Sequence, residues 1–119
     1  MPLILIVDDS PTEVHVMTKA LEKHGYRTAA AADGAEGVRL AREMSPDLIF
    51  MDIVMPGMNG YQATRTLTRE EATRHIPVIM CTSKGQETDR IWGMRQGAHD
   101  YIVKPIDANA LLAKIAAIG

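Results

Sequence analysis

The chain has 119 residues, a length that predicts one domain, spanning 1–119, with a single hydrophobic core. Its formal net charge of −2 argues against the basic surface that nucleic-acid binding requires, and its single cysteine excludes a disulfide framework. No signal peptide opens the sequence and no apolar run approaches the roughly 20 residues that cross a bilayer, so we expect a cytoplasmic protein whose partner is neither nucleic acid nor membrane.

In chain order, five short apolar runs predict β-strands, and segments with a period near 3.6 residues between them predict α-helices. Four of the runs are almost continuously apolar, as in strands that helices cover on both faces of a parallel sheet. The second run is rich in alanine and suits the edge of the sheet. The predicted strands are residues 3–7, 26–31, 48–51, 78–81 and 101–103.

Capping residues mark where the helices begin. Ser10 is followed by a proline at the first helical position and by Glu13 three residues after the cap, which predicts the start of the first helix. Asp33 and Asp107 are the predicted N-caps of the second and fifth helices. Because strands and helices alternate five times, we predict an α/β fold, a doubly wound parallel sheet of five strands with five helices and right-handed crossovers.

Polar side chains stand at the ends of four of the five predicted strands. Asp8 and Asp9 follow the first, Asp52 the third, Thr82 the fourth and Lys104 the fifth. The carboxyl ends of parallel strands lie at one edge of a sheet, where α/β proteins bind ligands. If the chain order reverses between the first and third strands, the aspartates become neighbours about 5 Å apart. The lysine side chain can largely cross the roughly 10 Å between the fifth strand and the third.

This set of residue types predicts a site for a metal and a phosphoryl group. Three carboxylates at one point need a cation, because without one their repulsion would raise a pKa or push the strand ends apart. Carboxylate oxygens suit Mg²⁺, which completes its shell with water and phosphate oxygens. A lysine and a threonine hydroxyl complete a clamp in which one aspartate could be the nucleophile. Each residue alone could be only a helix cap or turn former, and it is their convergence that favours a site.

The segments LIVDDSP, LIFMDIVMPGMNG, VIMCTSK and GAHDYIVKPID resemble the receiver domain of two-component response regulators. The resemblance runs from Leu3 to the last helix. It implies a flavodoxin-like fold with the strand order 2-1-3-4-5 that is known for a chemotaxis member of this family. It also implies a signalling domain rather than an enzyme, one that catalyses only its own phosphorylation and dephosphorylation.

The same resemblance implies a role for each aspartate. Asp52 would be the phosphoacceptor, taking its phosphoryl group from a phosphohistidine of a sensor histidine kinase or phosphotransfer domain. Asp9 and Asp52 would bind Mg²⁺ directly, together with the backbone carbonyl of Val54. Asp8 would bind the ion through a water molecule.

The remaining residues of the motif imply a switch. Thr82 and Lys104 would contact phosphoryl oxygens, and the bond from Lys104 to Pro105 would be cis. Thr82 would move toward the added charge, which lets Tyr101 swing inward. The resemblance implies that a downstream protein then binds the face formed by the fourth helix, fifth strand and fifth helix, on a receiver that is a monomer or weak dimer.

The fourth helix carries the only tryptophan. Its apolar spacing predicts that Ile91, Met94 and Ala98 face the core. Trp92 then lies about 100° around the helix from Ile91, toward solvent on the output face. There it is either an interface anchor or an aromatic side chain that lies flat over its own domain.

Two positions depart from the family's members that lose their phosphoryl group quickly. Those members often carry polar or acidic groups, able to orient a water molecule, two residues after the phosphoacceptor and two residues after the threonine. Here the two positions hold Val54 and Lys84. We therefore predict a phosphorylated form that lives longer than in those members.

Three functions compete at this point. The first is a stand-alone regulator of a phosphorelay, since DDSPTE, MDIVMPGMNGYQATRTLT and GQETDRIWGMRQGAHDY resemble the single-domain regulators of chemotaxis-like twitching-motility (type IV pilus) systems. The second is a receiver domain excised from a larger DNA-binding or enzymatic regulator. The third is a small Mg²⁺-dependent phosphohydrolase, which would need a general acid–base partner near Asp52 and a substrate pocket, neither of which the DIVMP segment supplies.

Overall fold

Five parallel strands form a single sheet in the order β2-β1-β3-β4-β5, the order that the family resemblance implies. The computed structural model describes residues 2–83 and 87–118. Strands and helices alternate along the whole chain, which confirms the predicted doubly wound α/β fold. The strands are β1 (Leu3–Val7), β2 (Arg27–Ala31), β3 (Leu48–Asp52), β4 (Val78–Thr82) and β5 (Asp100–Val103).

The three central strands, β1, β3 and β4, are buried along their whole length, as their apolar sequences predict. The alanine-rich β2 lies at one edge and is partly exposed, which confirms its predicted place. The other edge is β5, where only Ile102 is fully buried. A helix packs against each face of β5, as predicted, but its residues are less buried than those of the central strands because an edge strand borders solvent along the side that lacks a neighbour.

The helices begin where their capping residues predict. The side chains of Ser10, Asp33 and Asp107 each accept a hydrogen bond from the backbone N–H three residues on, which satisfies a free donor of the first turn. Within the described residues, none of the helices combines the length and the apolar character needed to cross a lipid bilayer. The helices are α1 (Pro11–Lys23), α2 (Gly34–Met44), α3 (Gly60–Arg69), α4 (Glu87–Arg95) and α5 (Ala108–Ile118).

The sheet separates two hydrophobic layers. On one face α1 and α5 pack Met17, Leu21 and Leu111 against strand residues that include Phe50. On the other face α2 and α3 pack against the opposite side chains of the same strands, among them Met80. Full burial of a large apolar side chain stabilises a fold by about 1.5–3 kcal/mol, so the central strands are held firmly from both sides. The ends of these strands carry the candidate site.

The burial of α4 differs from its prediction. Ile91 and Met94 are 42% and 45% exposed, so the expectation that both face the core is wrong, whereas Ala98 is buried as predicted. The helix contacts the sheet through Gly93, where an added Cβ would lie 3.0 Å from the Cγ of Met80. Because this small residue forms the contact, the larger neighbours turn outward. Trp92 is 49% exposed, which confirms that it faces solvent.

Candidate functional site

Strand register brings the predicted site residues to one edge of the sheet. The residues just before Asp8 and Asp52 pair with each other across β1 and β3. Asp52 itself pairs with the buried Cys81 of β4, which places Thr82 one residue further along. Lys104 follows β5, and its backbone N–H donates a hydrogen bond of 2.6 Å to the carbonyl oxygen of Thr82. The convergence predicted from the strand ends is therefore present.

Three carboxylates meet at this edge. Asp8, Asp9 and Asp52 each offer one oxygen atom, and these atoms all lie within 4.8 Å of one another. Asp8 and Asp52 are buried, whereas Asp9 is exposed to solvent. Carboxylate oxygens are the donors that Mg²⁺ prefers, and an exposed member leaves room for the water ligands that this ion keeps. The residues present therefore fit the predicted metal.

Lys104 closes the site from the β5 side, across the gap that its length was expected to span. Its Nζ atom lies 2.8 Å from Asp52 Oδ1 and 3.2 Å from Asp8 Oδ2. The peptide bond between Lys104 and Pro105 is cis, as the family resemblance implies. Only 12% of the lysine side chain is exposed, so its charge acts where solvent screens it weakly.

Glu13 is a site residue that the sequence did not reveal. Its Oε2 atom lies 2.5 Å from Lys104 Nζ. In the sequence Glu13 fits the acid of a capping box with Ser10, but only half of that box forms. Ser10 Oγ accepts a hydrogen bond from the Glu13 backbone N–H, while the Ser10 N–H donates to Asp8 Oδ1. The signal that could have found it is position, because the first turn of α1 begins two residues after the paired aspartates.

Burial and crowding set the electrostatics of the site. Burial raises the pKa of Asp8, contact with Glu13 raises it further, and the Ser10 N–H and Lys104 oppose this rise. Burial likewise raises the pKa of Asp52 against the stabilising hydrogen bond from Lys104. Burial by itself would lower the pKa of Lys104, but the surrounding carboxylates outweigh it and the net pKa lies above the ordinary value. Several carboxylates face the Lys104 ammonium, so negative charge is in excess and the site favours a further cation.

The side-chain hydroxyl of Thr82 is available for a ligand. This hydroxyl is buried, and within residues 2–83 and 87–118 it has no hydrogen-bond partner. A buried hydroxyl without a partner costs about 1–3 kcal/mol, so such a group is usually satisfied by a ligand or by water. Its place beside Asp52 suits the predicted contact with a phosphoryl oxygen.

The segment after β3 fixes the Asp52 side chain. Asp52 Oδ1 accepts a hydrogen bond of 3.0 Å from the Ile53 N–H, and the Gly60 N–H donates to the Ile53 carbonyl oxygen at 2.8 Å. Gly60 has to be glycine because a Cβ there would overlap the Asp52 carbonyl oxygen. Val54, whose backbone carbonyl is a predicted metal ligand, lies in this segment with a side chain that is 75% exposed.

The aromatic residues Tyr101 and Trp92 are not part of the carboxylate cluster. Tyr101 on β5 is half-buried, with the Arg90 guanidinium 5.7 Å and the Lys114 ammonium 5.4 Å from its ring centre, as in cation–π contacts. Trp92 has the Arg95 guanidinium 5.5 Å from its ring. Lys84, the second departure from the family pattern, lies outside the described residues.

Comparisons of the sequence with known proteins agree with this geometry. Residues 4–116 match the family model of the response regulator receiver domain. The chain is 57% identical over 118 residues to Protein PilH of Pseudomonas aeruginosa, covering 99% of this chain and 98% of PilH. It is also 40% identical to the phosphate regulon transcriptional regulatory protein PhoB of Escherichia coli, of which it spans 50%.

Solved structures with the same architecture include chemotaxis and kinase receivers. The chemotaxis protein CheY4 of Vibrio cholerae matches with a TM-score of 0.94 and 28% identity, over 100% of this chain and 99% of that one. The receiver domain of the sensor histidine kinase PA1611 from Pseudomonas aeruginosa matches with a TM-score of 0.90 and 34% identity, over 98% and 95%. In that structure a magnesium ion is coordinated in the active-site cleft.

Proposed function

The chain belongs to the response regulator receiver family, and on that premise we propose that Asp52 accepts a phosphoryl group from a phosphohistidine. The donor would be a sensor histidine kinase or a phosphotransfer domain. The observation that supports this most strongly is the grouping of Asp52 with the other two acids, the Lys104 ammonium and the Thr82 hydroxyl, which has no hydrogen-bond partner within residues 2–83 and 87–118. Transfer of a phosphoryl group needs a nucleophile, a metal site and groups that bind the phosphoryl oxygens, and these residues can provide all three.

The contacts of Asp52 indicate which oxygen atom attacks. Within the described part of the chain, the hydrogen bonds from Lys104 and Ile53 both end on Oδ1, which leaves Oδ2 to act as the nucleophile. A bond forms from Oδ2 to phosphorus as the phosphorus–nitrogen bond to the donor imidazole breaks. The electron pair of the broken bond stays on the imidazole nitrogen, which takes a proton from solvent. Lys104 and Thr82 then bind oxygens of the transferred group.

The metal site completes the proposal. Asp9, Asp52 and the Val54 carbonyl would hold Mg²⁺ directly, and Asp8 would hold it through water. When bound, the ion neutralises the acids and the charge of the incoming phosphoryl group. Lys104 meanwhile keeps the Asp52 carboxylate oriented, and the burial of Asp8 and Asp52 limits the access of water.

The output would follow from movement of Thr82 toward the new phosphoryl oxygens. The half-buried Tyr101 on β5 would turn inward as that strand end shifts, changing the face formed by α4, β5 and α5. Trp92 stands exposed on this face and is a candidate anchor for a downstream protein. A ligand shifts such an equilibrium only by its difference in affinity for the two states, and the Thr82 contact is one such difference.

We place the protein in a chemotaxis-like pathway that controls twitching motility, acting in the cytoplasm as a stand-alone monomer or weak dimer. The support is the identity to PilH over nearly the full length of both chains. A second candidate is a receiver that forms one part of a longer regulator, which the half-length matches to PhoB and to RpaA of Synechocystis favour. In both cases the chain would catalyse only its own phosphorylation and dephosphorylation.

The central test is incubation with acetyl phosphate and Mg²⁺ followed by intact mass spectrometry. We expect a gain of one phosphoryl group that disappears in Asp52→Asn and when the metal is chelated. Asp47→Asn is the matched control, because this aspartate accepts a hydrogen bond from the Leu3 N–H where β1 begins, at the end of the strand away from the site. This variant should gain one phosphoryl group as the unaltered protein does. An unchanged mass in the intact protein would overturn the proposal.

The lifetime of the phosphorylated form is a separate prediction. The Val54 side chain is exposed and apolar, so it cannot orient a water molecule for attack on the phosphoryl group. We expect the phosphoryl group on Asp52 to outlast that of fast chemotaxis regulators, and Val54→Asn to shorten its life. Mass spectrometry at intervals after removal of the donor measures the half-life. A half-life of seconds in the unaltered protein would contradict this prediction.

A further inference from the structure

Glu13 contacts the same ammonium group that a phosphoryl oxygen would need. The first turn of α1 holds it in place, because Ser10 caps its backbone N–H. Its Oε2 atom is buried at 2.5 Å from Lys104 Nζ, whereas 37% of the side chain as a whole is exposed. With Asp8 and Asp52 on the other sides, three carboxylates surround one ammonium.

The three contacts are not equal. An ammonium group has three N–H donors, so an incoming phosphoryl oxygen has to displace one of the carboxylates. Asp8 and Asp52 accept hydrogen bonds from Lys104 and are buried. Glu13 Oε2 has no well-directed hydrogen bond within the described residues, and its side chain is the most exposed of the three. Its contact with Lys104 is therefore the one that is displaced at the least cost.

We infer that Glu13 is a positioning residue that competes with the phosphoryl oxygens for Lys104 and so limits the lifetime of phosphorylated Asp52. This inference rests on the function proposed above for Asp52. In the unphosphorylated protein Glu13 holds the ammonium at the mouth of the site. After transfer it remains close by as a negative charge that draws Lys104 back.

Glu13 acts with opposite sign on the two ligands of the site. A cation held by Asp8, Asp9 and Asp52 gains from a further carboxylate nearby. A phosphoryl group carries almost two negative charges, so the same carboxylate repels it and occupies its lysine partner. Removal of the charge should therefore weaken metal binding and strengthen phosphoryl binding. Simple damage to the fold would weaken both.

The test is Glu13→Gln, which keeps the shape of the side chain and removes its charge. We expect the Kd for Mg²⁺ alone to rise, and the half-life of phosphorylated Asp52 and the affinity for the phosphoryl mimic beryllofluoride to increase. Each change should be about three- to fivefold, the scale of a partly exposed ion pair. The matched control is Glu36→Gln, which removes an acid from the groove that Asp8 and Asp9 line but not from the contacts of Lys104.

A second variant separates contact from charge. Glu13→Asp keeps the negative charge but withdraws the carboxylate from Lys104 by one methylene, so we expect a phosphoryl lifetime between those of the wild type and Glu13→Gln. An unchanged lifetime in Glu13→Gln, or an equal lengthening in Glu36→Gln, would overturn the inference. A wild-type chain that gains no mass at Asp52 contradicts the proposed function instead, and the Mg²⁺ and beryllofluoride titrations still test Glu13.

Discussion

Two neighbouring helices on the same face of the sheet are held in different ways. α3 begins with a capping box between Asn59 and Gln62 and buries Ala63, Thr64 and Leu67. α4 leaves Ile91, Trp92 and Met94 exposed and meets the sheet through Gly93. Because burial of apolar area provides most of the stability of a helix in a protein, α3 is fixed and α4 is held weakly. The helix that follows Asp52 is therefore packed more firmly than the helix that carries Trp92.

Truncation of one apolar side chain in each helix should give the largest difference in the free energy of unfolding between the two helices. Leu67→Ala removes a fully buried side chain of α3 and should lower the free energy of unfolding by about 2–5 kcal/mol. Met94→Ala truncates a residue that is 45% exposed and should cost less than about 1 kcal/mol. Urea denaturation of both variants measures the difference. Equal losses would show that α4 is as firmly packed as α3.

Glycine replacements test the same contrast at the backbone. In Gly60→Ala the new methyl group overlaps the backbone of Asp52, which cannot move aside, so we expect a loss of about 1–3 kcal/mol. In Gly93→Ala the methyl group meets only the flexible Met80 side chain, and the better helix propensity of alanine offsets that contact to within about 1 kcal/mol. Thermal unfolding of the two variants measures these losses of stability. A larger loss at Gly93 would break the comparison.

The smallest effect concerns the end of α3. The guanidinium of Arg42 on α2 binds the Glu70 carboxylate that follows α3, and this hydrogen bond lowers the pKa of Glu70. A depressed pKa means that the pair adds stability above the ordinary glutamate pKa, and that this stability is lost as pH falls through the lowered value. An NMR titration should show the pKa of Glu70 return toward its ordinary value in Arg42→Ala. A Glu70 pKa that does not change in this variant would show that the pair adds nothing.

Most of the fold could be predicted because its signals are local. Ser10, Asp33 and Asp107 cap their helices through atoms three residues away, and the apolar runs of the central strands mark burial directly. The site followed from topology, since strand ends in a parallel sheet share one edge. The misjudged residues depend on packing between elements. Ile91 and Met94 have helical spacing, but the spacing cannot say that a glycine makes the contact.

Glu13 shows the same limit within the site. Its sequence context fits a capping box. The local pattern does not indicate its contact with Lys104, which lies 91 positions later in the chain. The contact depends on the direction in which α1 leaves β1 and on the return of the chain after β5. Such pairings between distant segments become visible only when the elements are assembled.

The buried hydroxyl of Thr82 has a thermodynamic consequence for the resting protein. A polar group without a partner raises the free energy of the state that contains it by about 1–3 kcal/mol, which is roughly a five- to 150-fold bias in an equilibrium constant. An oxygen of a ligand or of water that accepts a hydrogen bond from this hydroxyl removes the penalty. Because no partner of the Thr82 hydroxyl lies within residues 2–83 and 87–118, this hydroxyl favours binding of a group that brings such an oxygen.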